Sequence, residues 1–455
     1  MHSPHTLESF GTSKYKKWNS EEIPLKKFVL VITALFLCSL SFAEKPKAAT
    51  RSTQNGNSVT QWNAIALQVL PSDPGLVLDS RAYAIMHAAI HDAVNGVERR
   101  YEPYTANLSS PGASVDAAVA AAAHDVLVVL SPSRQSTVEI AYAAALEAIA
   151  DGPAKDAGIT LGQQSAKANL ARRSNDGLAG AAEPAYVPTG EPGDYAFTPP
   201  FDQPPFGPVA LLPGWGRVTP FAIHLSEHQL PGPLSLTSEE YARDFNLLKS
   251  IGRLDSTVRT AEQTEIALFW FEFSPIGWNR IANTIVRSEH LDVWKSARVM
   301  ALVNFALADG YIAGFAGKYN FRFWRPYTAI RRGADDGNPA TKADATWLPL
   351  LTPTFFIPPV PDYPSTHSVL GAAAAEVLAE IFGDHTSFTA TSTSLPGVTR
   401  EFHSFSEAAQ ENGMSRVYGG IHFLHAVHDG LRQGQHIGRS VSQLLPPATN
   451  RPAGQ

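Results

Sequence analysis

An all-α fold is expected from the amino-acid order, on three grounds. Apolar residues recur at three- and four-residue spacing through most of the 455 residues. Helix-start patterns such as Ser131-Pro132, Thr237-Ser238-Glu239-Glu240 and Ser274-Pro275 punctuate that spacing. Runs of alternating β-branched residues, the mark of half-buried strands, are scarce. At 44% hydrophobic and 17% charged, the chain can bury one large core or two ordinary ones, and it is neither collagenous nor disordered by composition. A net charge of −6, from 36 basic and 42 acidic residues, speaks against general affinity for nucleic acid or anionic membranes. Any anion the protein binds must therefore sit in a local basic cluster.

The chain begins with a segment read as a signal peptide over residues 1–43. Lys26 and Lys27 precede an uncharged run from Phe28 to Leu40, and Ser41-Phe42-Ala43 supplies small residues at a cleavage site before Glu44. Cleavage there removes five lysines and three glutamates, taking the net charge from −6 to −8, and it removes Cys38, the one cysteine. A thiol-free exported protein has no disulfides, thiolate ligands or cysteine nucleophiles. No later segment is read as long and apolar enough to cross a membrane, so a periplasmic or secreted protein without stable membrane insertion is expected. An N-terminal helical region, 44–236, follows, with helices expected at 59–70, 81–97, 114–130 and 135–150. It ends in a stretch, 184–233, that holds twelve of the 34 prolines together with Phe197, Phe201, Phe206, Trp215 and Phe221. So many prolines exclude helix, and so many aromatics argue for an extended wrap packed on the body. A second helical domain, 237–455, is expected to contain helices at 256–273, from 274, and at 291–316, 365–382 and 419–444.

Three segments carry candidate chemistry. Residues 318–332 hold five positive charges and no carboxylate, interleaved with Phe321, Phe323, Trp324 and Pro326. Lys318 and Arg325 would share a face if this region is helical. Charge runs are most often solvated surface, but the aromatics suit a partly buried anion site. Next, Tyr363-Pro364-Ser365-Thr366-His367 opens an alanine-rich helix, where free backbone N–H groups, a hydroxyl and an imidazole would meet. Taken alone, a capped helix start with an incidental histidine explains it as well. Last, Ser415-Arg416 precedes His422 by five residues, offering a guanidinium clamp and a nitrogen ligand or nucleophile. Zinc at His422, His425 and His428 is a weak reading, since no carboxylate completes a ligand pattern. His87 and His91 read as a buried polar stitch between helices more readily than as metal ligands.

As a set, Lys318 with Arg325-Pro326, then Pro364-Ser365-Thr366-His367, then Ser415-Arg416 with His422, resemble the signature of the vanadium haloperoxidase and type 2 phosphatidic-acid phosphatase superfamily. The length of the helical N-terminal region resembles its soluble haloperoxidase-like branch. The resemblance implies an all-helical fold with an anion held in a four-helix bundle of the C-terminal half. Lys318, Arg325 and Arg416 would neutralise the anion, with Ser365 and the Thr366 N–H as further donors. His422 would be the axial ligand of vanadate, and His367 the acid–base group. Two positions depart from the family pattern: Thr366 stands where glycine is usual, and Ala426 where an acidic partner for His422 is usual.

The expected function is an exported vanadate-dependent haloperoxidase-like enzyme oxidising halide with hydrogen peroxide. The alternatives are an acid phosphatase acting on a phosphoester through a phosphohistidine at His422, with phosphate in place of vanadate, and a non-catalytic vanadate- or phosphate-binding protein. A pocket complementary to trigonal-bipyramidal vanadate also suits phosphorus in in-line transfer, so one site serves either chemistry.

Overall fold

The computed structural model describes residues 56–72, 77–352 and 356–448. The expected signal peptide lies outside these residues. Thirteen α-helices are present among the described residues. The N-terminal half contains α1 (Ser58–Val69), α2 (Leu78–Val97), α3 (Val115–Leu130), α4 (Gln135–Glu147) and α5 (Pro153–Arg172). The C-terminal half contains α6 (Glu239–Ile251), α7 (Ala261–Phe269), α8 (Ser274–Ser288), α9 (Val293–Phe321), α10 (Pro326–Arg331), α11 (Thr366–Phe382), α12 (Phe405–Tyr418) and α13 (Leu424–Ser442). A short antiparallel hairpin, β1 (Phe388–Thr391) with β2 (Thr399–Phe402), joins α11 to α12.

Helix α9 organises the molecule. It packs against α2, α8, α11 and α13, so one large hydrophobic core runs from Val59 to Leu445. This helix corrects one expectation. Val293–Phe321 is long and apolar enough by composition to cross a bilayer, but 94% of its most apolar window is buried inside the protein. It is apolar all round because it is surrounded by other helices. In the C-terminal bundle, α9, α12 and α13 each pack on α11.

Small residues set how closely the helices approach. A Cβ at Gly434 of α13 would lie 2.2 Å from the Val369 carbonyl oxygen of α11, and one at Gly438 would lie 2.7 Å from the Ala373 oxygen. The same device joins α5 to α3, where a Cβ at Gly162 would meet the Ala118 oxygen at 2.4 Å. Only glycine lets the backbones touch there. Because its contact face is built from small residues, α5 carries little amphipathic signal and is absent from the helices expected above.

The proline-rich stretch is an extended wrap, interrupted by short 3-10 turns at Trp215–Arg217 and Leu225–Glu227. It is pinned to α9. Asp309 accepts from the N–H groups of Phe221, Ala222 and Ile223 at 2.6, 2.8 and 3.1 Å, and Trp215 and Phe201 are fully buried. Of the expected stitch between helices His87 forms its part, with Nε2 3.1 Å from Asn63 Oδ1 of α1, whereas His91 Nε2 lies 3.1 Å from the Glu102 carbonyl oxygen in the loop after α2.

Three local expectations differ from the structure. The helix expected at 256–273 begins only at Ala261, because Thr260 and Gln263 form the capping box there. The capping pattern at 237–240 is a simple cap, in which the Ser238 hydroxyl accepts from the Tyr241 N–H. The single helix expected at 419–444 is replaced by a turn at 419–423, between the end of α12 and the start of α13.

Candidate active site

Lys318 and Arg325 do not share a helical face. Helix α9 ends at Phe321, where Arg322 turns left-handed (φ 54°), and Arg325 is the N-cap of α10. The break still brings the two side chains together. Arg322 anchors the turn by donating to Asp194 of the wrap at 2.8 Å.

The turn at 358–364 is built on these cations. Lys318 Nζ donates to the carbonyl oxygens of Pro361, Asp362 and Pro364 at 2.7, 2.9 and 2.7 Å, which engages all of its N–H groups. Arg325 donates through Nε to the Val360 oxygen at 2.7 Å and through Nη2 to the Pro358 oxygen at 3.3 Å. Arg325 Nη1 donates to the Ile421 oxygen at 2.7 Å and to His422 Nε2 at 3.0 Å. Since a guanidinium can only donate, His422 Nε2 carries the lone pair and Nδ1 the proton.

Arg416, in the last turn of α12, donates through Nη1 to the Trp270 oxygen at 3.1 Å, and its Nε has no hydrogen-bond partner among the described residues. His367, in the first turn of α11, lies with Nε2 3.1 Å from the Glu272 carbonyl oxygen. The loop after α7 thus presents two carbonyls, one to Arg416 and one to His367. Its position is fixed by the Glu272 carboxylate, which accepts from Thr393 N and Oγ1 at 2.9 and 2.7 Å and from Arg280. Ser365 is buried, its N–H donates to the Ala426 oxygen at 3.0 Å, and its hydroxyl accepts from the Ser368 hydroxyl at 2.9 Å. The methyl of Thr366 faces Gly314 of α9, where a Cβ would lie only 2.6 Å away. Gly314 thus makes the room that a threonine needs in place of glycine.

Sequence reasoning missed one residue at the centre of this group. Asp362 Oδ1 lies 2.9 Å from His422 Nδ1 and 3.9 Å from Arg325 Nη1, although the ring N–H points off the line to the oxygen. The signal was present, since Asp362 is the only acidic residue between Asp344 and Glu376 and immediately precedes Tyr363. His425 belongs elsewhere, with Nδ1 2.7 Å from Asp244 Oδ2, and no group of three metal-ligating side chains occurs among the described residues. The zinc reading is therefore dropped.

Lys318, Arg325, Arg416 and His422 are all at most 2% exposed. Burial, with Arg325 and Arg416 adding repulsion, pushes the Lys318 ammonium well below its usual range. Burial and then Arg325 bring Arg416 down to about 9. Burial and the surrounding cations hold His367 and His422 well below the ordinary histidine value and so neutral, and burial pushes the Asp362 carboxyl up to about 7. Three buried cations thus lie near one another, and Asp362 stands beside two of them, Lys318 and Arg325. A bound oxyanion would relieve the strain on the three cations, and Arg416 Nε is a donor ready for it. The donor set therefore fits a tetrahedral or trigonal-bipyramidal oxyanion such as vanadate or phosphate.

Relatives among known proteins agree with this geometry. Residues 298–449 match the family model of the VCPO second helical-bundle domain, a span containing every residue of the site except the carbonyl-bearing loop. The chain is 27% identical to the vanadium chloroperoxidase of Curvularia inaequalis, over 83% of this chain and 80% of that protein. Among solved structures, a bacterial vanadium-dependent iodoperoxidase superposes with a TM-score of 0.73 at 24% identity, covering 90% of this chain and 100% of that one. An apo-type bacterial vanadium-dependent chloroperoxidase gives 0.65 at 16% identity, covering 81% and 94%. With its helical fold, its buried cations and these relatives, the chain is similar to the vanadium haloperoxidases over most of its length, and residues 298–449 match the model of their second helical-bundle domain.

Proposed function

We propose that this protein is an exported vanadate-dependent haloperoxidase that oxidises a halide with hydrogen peroxide. The observation that carries the reading is the trio of mutually repelling buried cations, Lys318, Arg325 and Arg416, of which Arg416 has no carboxylate partner among the described residues. Bound vanadate would supply a Lewis acid that activates hydrogen peroxide. Arg325 and Arg416 would hold its oxygens by charge-assisted hydrogen bonds, while Lys318 adds charge and braces the 361–364 turn. Ser365 and the Thr366 N–H, at the N-terminus of the 17-residue α11, add donors and a favourable helix dipole. His422 would offer the Nε2 lone pair as a ligand to vanadium. A carbonyl oxygen only accepts, so His367 Nε2 donates to the Glu272 oxygen and Nδ1 is left as the basic nitrogen that takes a proton from peroxide. Burial excludes water, which strengthens each of these electrostatic interactions.

The test is halide oxidation by purified protein with peroxide and bromide, with and without vanadate, beside a phosphatase assay. Vanadate-dependent bromide oxidation is the expected result. Phosphate-ester hydrolysis without peroxidase activity would favour the phosphohistidine alternative, and anion binding without turnover the non-catalytic one. Export rests on Lys26, Lys27, the apolar run and Ser41-Phe42-Ala43. Intact mass of secreted protein should place the mature terminus near Glu44, and a retained Met1 would refute it.

A further inference from the structure

We propose that Asp362 is the positioning residue for His422, filling from another segment the place that Ala426 leaves without a carboxylate; this rests on the vanadate reading above. Position 426 cannot serve by helical spacing here, because α13 begins at Leu424 and His422 lies in the turn before it. The other acids nearby are engaged. Asp429 accepts from Tyr363 and Arg432, and Asp244 accepts from the N–H groups of Leu424 and His425 at 2.8 and 2.9 Å. Asp362 is fully buried, and neither of its carboxylate oxygens has a hydrogen-bond partner among the described residues. It lies 2.9 Å from His422 Nδ1.

Its backbone is held firmly. The Asp362 N–H donates to the Phe323 oxygen at 2.8 Å, and its carbonyl accepts from Lys318 Nζ at 2.9 Å. One residue therefore ties together three parts of the site: Lys318 through its carbonyl, Arg325 at 3.9 Å, and His422 at 2.9 Å. A carboxylate beside an anion site repels the anion. Its place there is explained by what it does to the imidazole: an acceptor at Nδ1 fixes the tautomer and makes Nε2 a stronger ligand.

The two effects have opposite signs. On the vanadate reading His422 would bond to vanadium, whereas phosphate at equilibrium would be held by the cations alone. Calorimetric titration of the full protein with each anion separates them. Asp362→Ala should weaken vanadate binding at least about tenfold, the lower end of the usual range for such partners, and leave phosphate binding equal or tighter. In a His422→Ala background, where the cations alone hold vanadate, Asp362→Ala should weaken vanadate binding no further and leave it equal or tighter. Asp362→Asn, which keeps an acceptor oxygen and the side-chain volume, should lose less, and it carries the test if the alanine variant does not fold.

Equal losses for both anions, or an unchanged vanadate affinity, would overturn the proposal. So would a wild type that holds vanadate no more tightly than phosphate. A wild type that binds vanadate tightly yet oxidises no halide would refute the proposed activity and leave this inference standing.

Discussion

Replacing Arg416 by methionine should make the anion-free protein more stable and its anion binding much weaker. Arg416 is 1% exposed, has no carboxylate partner among the described residues, and is pushed down to about 9 by burial and by Arg325. A fall of that size from the ordinary arginine value corresponds to about 5 kcal/mol against the charged form. Methionine removes that cost and fills a similar volume. Against this, the Trp270 oxygen loses its donor, about 1–2 kcal/mol, and the guanidinium 5.6 Å from the Phe271 ring centroid is lost, roughly another 1 kcal/mol. The balance is a gain of about 2 kcal/mol without anion. Anion affinity should fall by about 3 kcal/mol, roughly 150-fold, for one buried charge-assisted contact. Thermal unfolding with and without phosphate, together with vanadate titration, measures both. A variant that melts below the wild type without anion and binds vanadate equally would refute the view of Arg416 as a buried, uncompensated charge.

Other perturbations have equally definite outcomes. Glu272→Gln loosens the carbonyl-bearing loop from Arg280 and Thr393, so turnover at saturating vanadate should fall about tenfold; an unchanged kcat would detach the loop from His367. Ala426→Asp places a second carboxylate at a fully buried position on α13, and it should cost about 1–3 kcal/mol in urea unfolding and slow turnover; a faster enzyme would mean that position 426 can orient His422 after all. His124 is raised above the ordinary histidine value: burial pulls it down, but the contacts to Asp125 at 2.8 Å and Glu139 at 3.1 Å outweigh it. Its stabilising contribution is therefore full below about pH 6.5 and lost as pH rises through the folded-state pKa. The stability gap between wild type and His124→Gln should be open at acid pH and close at alkaline pH; a gap that widens with pH would reverse the assignment.

The helical class, most helix positions and the signature residues that the fold brings together in the candidate site are legible in the amino-acid order alone. Helical periodicity is local, so α1 to α4, α9 and α11 can be read from neighbours three and four apart. The signature residues can be read because their types and spacing are written along the chain. The rest depends on packing. Helix α5 is held by glycines against the α3 backbone, and that close approach leaves no amphipathic stripe in its own sequence. The left-handed turn at Arg322 and the break at 419–423 make Arg325 and His422 reach the site from turns, not from helical faces. Asp362 and the Glu272 carbonyl come within reach of the two histidines only through packing of segments 60 and 95 residues apart in sequence. A carboxylate that acts across that distance has no fixed spacing to read, because what places it is the path of the folded chain.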